Sequence, residues 1–81
     1  MHWVYVLRSA NDGRLYTGVT SDLRRRLREH NSGKVRSTRN RRPLVLAYKE
    51  GFDTRSDALA RETYFKTAEG GVLKRRLAGD R

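Results

Sequence analysis

Four polar side chains near the start of this chain, Tyr5, Tyr16, Arg26 and His30, recur at spacings that a β-hairpin followed by a helix could bring together. Their types are those of acid–base and anion chemistry. A guanidinium offers a fixed fork of donors to charged oxygens, and an imidazole titrates in the neutral range. A phenol, with an unperturbed pKa of about 10, is a poor base until a nearby cation lowers it. A fifth polar residue, Glu62, projects into the middle of a helical stripe otherwise made of Ala58, Leu59 and Phe65. There an ionised carboxylate has to meet a cation, a metal or hydrogen-bond donors.

The elements that must position these groups follow from local pattern. Trp3 to Leu7 is an apolar strand, Ala10-Asn11-Asp12-Gly13 is rich in turn formers, and Leu15 to Val19 returns, which reads as a β-hairpin. Register decides whether the tyrosines share a face. A four-residue loop centred between Asn11 and Asp12 sets Tyr5 opposite Gly18, with Tyr16 its diagonal neighbour at roughly 7–8 Å. An Asp12-Gly13 turn keeps the face but separates them by about 13 Å. The first register is the expectation, with Gly18 leaving a gap through which a ligand approaches the backbone. Projected at about 100° per residue, Asp22 to Asn31 forms a helix whose buried stripe is Leu23 and Leu27. His30 falls between those leucines and Arg26 at the stripe's edge, while Arg24, Arg25 and Arg28 point to solvent.

Each of these residues has a structural competitor. Tyr5 and Tyr16 suit a half-exposed sheet, His30 suits the C-terminal end of a helix dipole, and Glu62 pairs with Lys66 one turn later at about 0.2–0.5 kcal/mol. The coincidence of all five on inward faces favours a site.

Asn31 to Arg42 changes texture: it holds the five cations Lys34, Arg36, Arg39, Arg41 and Arg42 around an isolated valine, without periodicity. It reads as a loop, free to move when unliganded, that either lies solvated or closes on phosphates with help from Ser32, Ser37 and Thr38. Pro43 to Tyr48 is a near-continuous apolar run that suits a strand covered on both faces, followed by a turn at Gly51. Thr54 with Asp57 starts a second helix extending to about Ala68. Gly70-Gly71 ends it, and Val72, Leu73 and Leu77 face inward from a last short helix. Lys74, Arg75 and Arg76 face outward there, either as phosphate-binding surface or as solubilising charge. The expected architecture is a small α/β domain spanning residues 1–81. It has a three-stranded, mainly antiparallel sheet from residues 2 to 49 and helices near 22–31, 55–68 and 72–78.

Composition narrows the partner. Nineteen Lys and Arg against nine Asp and Glu give a net charge of +10 over 81 residues, which favours a polyanion, nucleic acid before anionic membrane. No run reaches the roughly 18 apolar residues of a spanning helix, and no signal-peptide pattern opens the chain, so the cytoplasm is the expected compartment. The absence of cysteine excludes disulfides, zinc–thiolate sites and thiol nucleophiles.

The ordered set of Tyr5 in Trp3-Val4-Tyr5, Tyr16-Thr17-Gly18, Arg26, His30 and the later helical Glu62 resembles the GIY-YIG nuclease family in its small single-domain bacterial form. The resemblance covers nearly the whole chain, although the first motif matches only at its tyrosine. It implies an endonuclease hydrolysing phosphodiester bonds, with DNA as partner and repair or processing as setting. It further implies that Glu62 holds one divalent ion, Mg²⁺ or Mn²⁺, and that Arg26 neutralises the transition state. Tyr5 is then the general base, Tyr16 positions water or phosphate, the two being exchangeable, and His30 assists proton transfer or orients Tyr16. Lys34, Arg36, Arg39, Arg41, Arg42 and Lys66 are the matching candidates for nucleic-acid contacts. The chain carries no asparagine downstream of Glu62, where many members have one, which is the point in favour of a non-catalytic module, and it carries no added DNA- or zinc-binding module, which implies weakly selective cleavage. The alternative is a non-catalytic nucleic-acid-binding module on the same scaffold.

Overall fold

Val4, Tyr5, Val6 and Leu7 are each no more than 1% exposed, a run that requires a strand covered on both faces. In the computed structural model, which describes residues 1–79, that strand is β1 (His2–Ser9). It is the centre of an antiparallel sheet of order β2-β1-β3, with β2 Leu15–Thr20 and β3 Leu44–Phe52. Helix α1 (Leu23–Asn31) supplies Leu23 and Leu27 to one face, against Tyr5, Leu7, Tyr16, Leu44 and Leu46. Helices α2 (Arg55–Phe65) and α3 (Ala68–Leu77) cover the other, around Val4, Val6, Ala58 and Phe65. None of the described helices is long and apolar enough to cross a membrane.

The hairpin has the expected register, Tyr5 opposite Gly18 and Leu7 opposite Tyr16. Its turn is fixed by its own side chains. Ser9 Oγ accepts from the Asn11 and Asp12 N–H groups at 3.1 and 3.2 Å, and Asp12 Oδ1 accepts from Arg14 N–H at 2.9 Å. Gly13 takes the left-handed conformation at φ +75°, where a side chain would be strained. Asp22 caps α1 by accepting from Arg25 N–H at 3.0 Å, and Thr54 caps α2 by accepting from Asp57 N–H at 3.1 Å.

Several expectations about the second half are corrected. β3 is an edge strand, with Val45 57% exposed, and it runs on through Gly51 to Phe52 instead of turning there. The apolar run serves the two faces in turn: Leu44 and Leu46 pack on the α1 side and, past a break in pairing at β1 Val6/Leu7 that leaves Ala47 as the extra residue, Tyr48 packs on the α2/α3 side. α2 stops at Phe65, and Gly70-Gly71 lie inside α3 instead of ending α2. Thr67 makes this boundary, its Oγ1 accepting from Gly70 N–H at 3.0 Å. Gly70 passes so close to the Tyr64 carbonyl that a Cβ would overlap it. Val72 is half exposed, not inward, whereas Leu73 and Leu77 pack on the core as expected.

The basic segment between α1 and β3 is pinned at several points. Asn31 Oδ1 accepts from Leu44 N–H at 2.7 Å while its Nδ2 donates to Leu44 O at 2.9 Å, tying the end of α1 to the start of β3. Ser9 Oγ donates to the Arg41 carbonyl at 2.7 Å, within a short 3₁₀ turn at Arg39–Arg41.

One buried polar atom in the sheet is unsatisfied. Thr17, 5% exposed and paired with Val6, has an Oγ1 with no hydrogen-bond partner. An unmet buried hydroxyl costs about 1–3 kcal/mol, so Thr17→Val is expected to raise stability by about 1 kcal/mol in denaturant unfolding. A destabilised variant would show that the hydroxyl is satisfied in solution.

Candidate active site

Gly18 sets the position of Tyr5. A Cβ on Gly18 would collide with the Tyr5 hydroxyl and ring, so the phenol lies across β2 at the one place where a neighbouring strand carries no side chain. The expected gap for a ligand is therefore filled by the tyrosine itself. From there the Tyr5 oxygen reaches α1: it lies 2.9 Å from His30 Nε2 and accepts from Arg26 Nε at 3.4 Å. Tyr16, the diagonal neighbour, has its ring centroid 6.5 Å from that of Tyr5 and 5.1 Å from that of His30, edge-on to the imidazole. Four of the residues read from sequence thus converge. Gly18→Ala is expected to cost about 1–3 kcal/mol by overpacking and to pull Tyr5 away from His30 and Arg26. Thermal unfolding checks this, and an unchanged midpoint would contradict it.

His30 is fully buried and satisfied on both sides. Its Nδ1 lies 2.7 Å from Thr38 Oγ1, which is also fully buried. If Nδ1–H donates to Thr38, Nε2 accepts from the Tyr5 hydroxyl. If Thr38 donates to Nδ1, Nε2–H donates to the Tyr5 oxygen. Burial lowers the His30 pKa, and the Arg26 charge acts in the same direction, so the imidazole is neutral at neutral pH. Burial raises the Tyr5 pKa above its ordinary value, and the Arg26 hydrogen bond and charge oppose that rise without cancelling it. Arg26 itself is held more firmly charged, first by its bond to Tyr5 and then by Glu29, whose Oε1 is 3.1 Å from Nη1.

Glu62 stands apart from this hydrogen-bonded group. Its side chain is 19% exposed, and Oε2 accepts from Lys66 Nζ at 3.4 Å, the i,i+4 pair weighed from sequence. Its charge nevertheless reaches Tyr5, where it adds to the upward shift. The donors available to a cation are one partly exposed carboxylate and, within its electrostatic reach, a phenol. That set fits a Mg²⁺-type ion that keeps most of its waters and completes its shell with substrate phosphate. It does not fit a closed cage, and no group of three or more His, Cys, Asp or Glu that could hold a metal is found among the described residues.

The basic residues divide between two regions. Lys34, Arg36, Arg39 and Arg42 are exposed, and Lys34 shares a depression of about 280 Å³ with Arg25, Arg28, Glu29 and Ser32. Arg42 Nε donates to the Arg39 carbonyl at 2.8 Å. Arg41 is half-buried and faces a different depression, beside the hairpin turn. Lys66 has a side chain 59% exposed beyond its contact with Glu62. Thr38, grouped with phosphate-contacting residues in the sequence, turns inward to His30. Its role had no periodic signal, because it follows His30 by eight residues of irregular loop. Glu29 was also missed, although three-residue helical spacing from Arg26 is a known pairing distance.

A family model described as the GIY-YIG catalytic domain matches residues 1–75. The UPF0213 protein of Bacillus pumilus (strain SAFR-032) is 52% identical over 67 residues, 82% of this chain and 67% of that protein. UPF0213 protein HQ_3675A of Haloquadratum walsbyi is 49% identical over 67 residues, 82% of this chain and 74% of that one. Among solved structures, the solution NMR structure of UPF0213 protein BH0048 from Bacillus halodurans aligns with a TM-score of 0.57 at 34% identity, covering 96% of this chain and 85% of that one. The convergence of Tyr5, Tyr16, Arg26 and His30 around Gly18 therefore sits in a chain that belongs to the GIY-YIG nuclease family and is similar to its UPF0213 proteins.

Proposed function

We propose that this chain is a divalent-metal-dependent endonuclease that hydrolyses phosphodiester bonds in DNA with low sequence specificity, in repair or processing of single-stranded or branched substrates. The observation that carries the reading is the Tyr5 oxygen held between Arg26 Nε at 3.4 Å and His30 Nε2 at 2.9 Å. Phosphodiester hydrolysis needs a base for water and positive charge for the phosphoryl oxygens, and this arrangement supplies both from one contact. Arg26, with a side chain 35% exposed, touches Tyr5 and is open to a phosphate, so its fork of donors stabilises the charge that develops there. Tyr5 in its deprotonated form takes the proton of the attacking water, and neutral His30, in the tautomer in which Thr38 donates to Nδ1, donates its Nε2–H to the phenolate oxygen and steadies it beside Arg26. Glu62 is the residue that would hold the divalent ion, whose chemistry when bound is to polarise a phosphate oxygen. The exposed cations between α1 and β3 hold the backbone through sequence-independent contacts.

A second assignment of roles has its own support. Tyr16 is half-exposed where Tyr5 is sealed, which favours Tyr16 as the group that meets water and Tyr5 as the group that holds Arg26 and His30 in place. Incubation of the chain with labelled single-stranded, duplex and branched DNA, in Mg²⁺ or Mn²⁺ and in chelator, tests the function itself. Cutting that requires the metal supports the reading. Binding to all three substrates without cutting any of them replaces it with the binding-module alternative.

A further inference from the structure

The hairpin turn, the 3₁₀ turn and α3 enclose a second basic depression that the site around Tyr5 does not use. Gly13, Arg14, Leu15, Arg41, Lys74 and Arg75 line about 330 Å³. Four of those six residues are cations and none is an acid, although they come from three separate elements. Asp12, an exposed turn residue, has its pKa lowered first by the Arg14 N–H and also by the charges of Arg41 and Arg14. The ion pairs among the described residues involve Glu29, Glu50 and Glu62, and none engages Arg14, Arg41, Lys74 or Arg75. Burial lowers the Lys74 pKa, and the Arg75 and Lys66 charges push it the same way.

Its location gives the depression a partner. Leu15 packs on the core beneath α2 and α3, while Tyr16, the next residue, packs on the α1 face with Tyr5. Consecutive strand residues point to opposite faces, and β2 is an edge strand. The depression, where Leu15 lines it, and Tyr16 are therefore reached from opposite faces of the edge strand β2. A polyanionic chain passing round that edge meets both.

We propose that this cleft binds a backbone phosphate of the nucleic-acid strand flanking the scissile bond, so that the strand wraps the β2 edge and enters the Tyr5 site from a fixed direction. The assignment rests on the nuclease reading for its substrate class, but its test does not depend on cutting. Lys74→Gln/Arg75→Gln is compared with Arg24→Gln/Arg55→Gln, a control that removes the same charge from exposed helix positions outside the cleft. Binding of a labelled single-stranded oligonucleotide is measured over a range of salt concentrations, with chelator present throughout. The slope of log affinity against log salt is expected to shrink by about 1–2 in the cleft variant and to stay near wild type in the control. Lys74→Arg/Arg75→Lys is expected to restore the slope. Equal slopes in the cleft variant and the control would overturn the site and leave only net charge. Backbone amide NMR at Gly13 and Leu15 separates the phosphate sources: shifts on adding oligonucleotide support the strand. Shifts with inorganic phosphate alone, and none with oligonucleotide, overturn it. A protein that never cuts but passes these tests keeps the cleft and loses the nuclease reading. One that cuts but fails them keeps the nuclease reading alone.

Discussion

Tyr5→Phe is expected to lower DNA cleavage by about 10²–10⁴-fold, the range that loss of a positioned acid–base group costs. The substitution keeps the ring that fills the space over Gly18 and removes only the oxygen shared by His30 Nε2 and Arg26 Nε. Because burial raises the Tyr5 pKa, the phenol is protonated at neutral pH, and its competent, deprotonated form grows as pH rises. The wild-type rate is therefore expected to climb from about pH 7 to about pH 9, below the ordinary phenol value near 10, and this climb is expected to vanish in Tyr5→Phe. Tyr16→Phe is the informative comparison. If it loses the pH-dependent climb while Tyr5→Phe keeps it, the roles of the two tyrosines are exchanged. Some stability is also lost in Tyr5→Phe, since the buried His30 Nε2 loses its partner at about 1–3 kcal/mol. Rates are therefore compared at a temperature where both proteins are folded.

Gly70→Ala and Gly71→Ala are expected to change stability in opposite directions, although the residues are adjacent on α3. At Gly70 a Cβ would run into the Tyr64 carbonyl, a backbone atom that cannot rotate aside, and would disturb the Thr67 cap on Gly70 N–H. Overpacking of this kind costs about 1–3 kcal/mol and more where the backbone must move, so a loss of about 3 kcal/mol is expected, a large share of the roughly 5–15 kcal/mol typical of a folded protein. At Gly71 the nearest atoms to a Cβ are Arg75 Nη1 at 3.7 Å and Phe65 O at 3.8 Å, which is ordinary contact. There the higher helix propensity of alanine acts alone, and a rise of up to about 1 kcal/mol is expected. Denaturant unfolding of the two variants checks this. Equal effects would mean that the α2–α3 junction is looser than its geometry.

The hairpin and α1 were readable in the sequence because local rules fix them. Ser9, Asn11, Asp12 and Gly13 specify the turn, the turn specifies the register, and register places Tyr5 and Tyr16 on one face. The leucine stripe of α1 then exposes Arg26 and His30 as polar residues on a core-facing side. What was not readable depends on approach between distant segments. The apolar composition of Pro43 to Tyr48 suggests burial on both faces, but only sheet order decides which strand is central. Two glycines in succession suggest a helix end, and here the first is required by contact with the preceding helix's last turn. Thr38 in a basic loop suggests a phosphate contact, and its burial beside His30 is a tertiary event with no periodic trace. At Glu62 the pairing with Lys66 weighed from sequence is present, and the charge of the carboxylate also reaches Tyr5.

The most direct test is cleavage and binding of labelled DNA by the wild type and Glu62→Ala, side by side at fixed salt in Mg²⁺, Mn²⁺ and chelator. The expected result is metal-dependent cutting by the wild type, no detectable cutting by Glu62→Ala, and DNA binding retained by both. Equal cutting by the two proteins would contradict Glu62 as the metal-holding residue, and a wild type that binds DNA without ever cutting it would contradict the nuclease reading altogether.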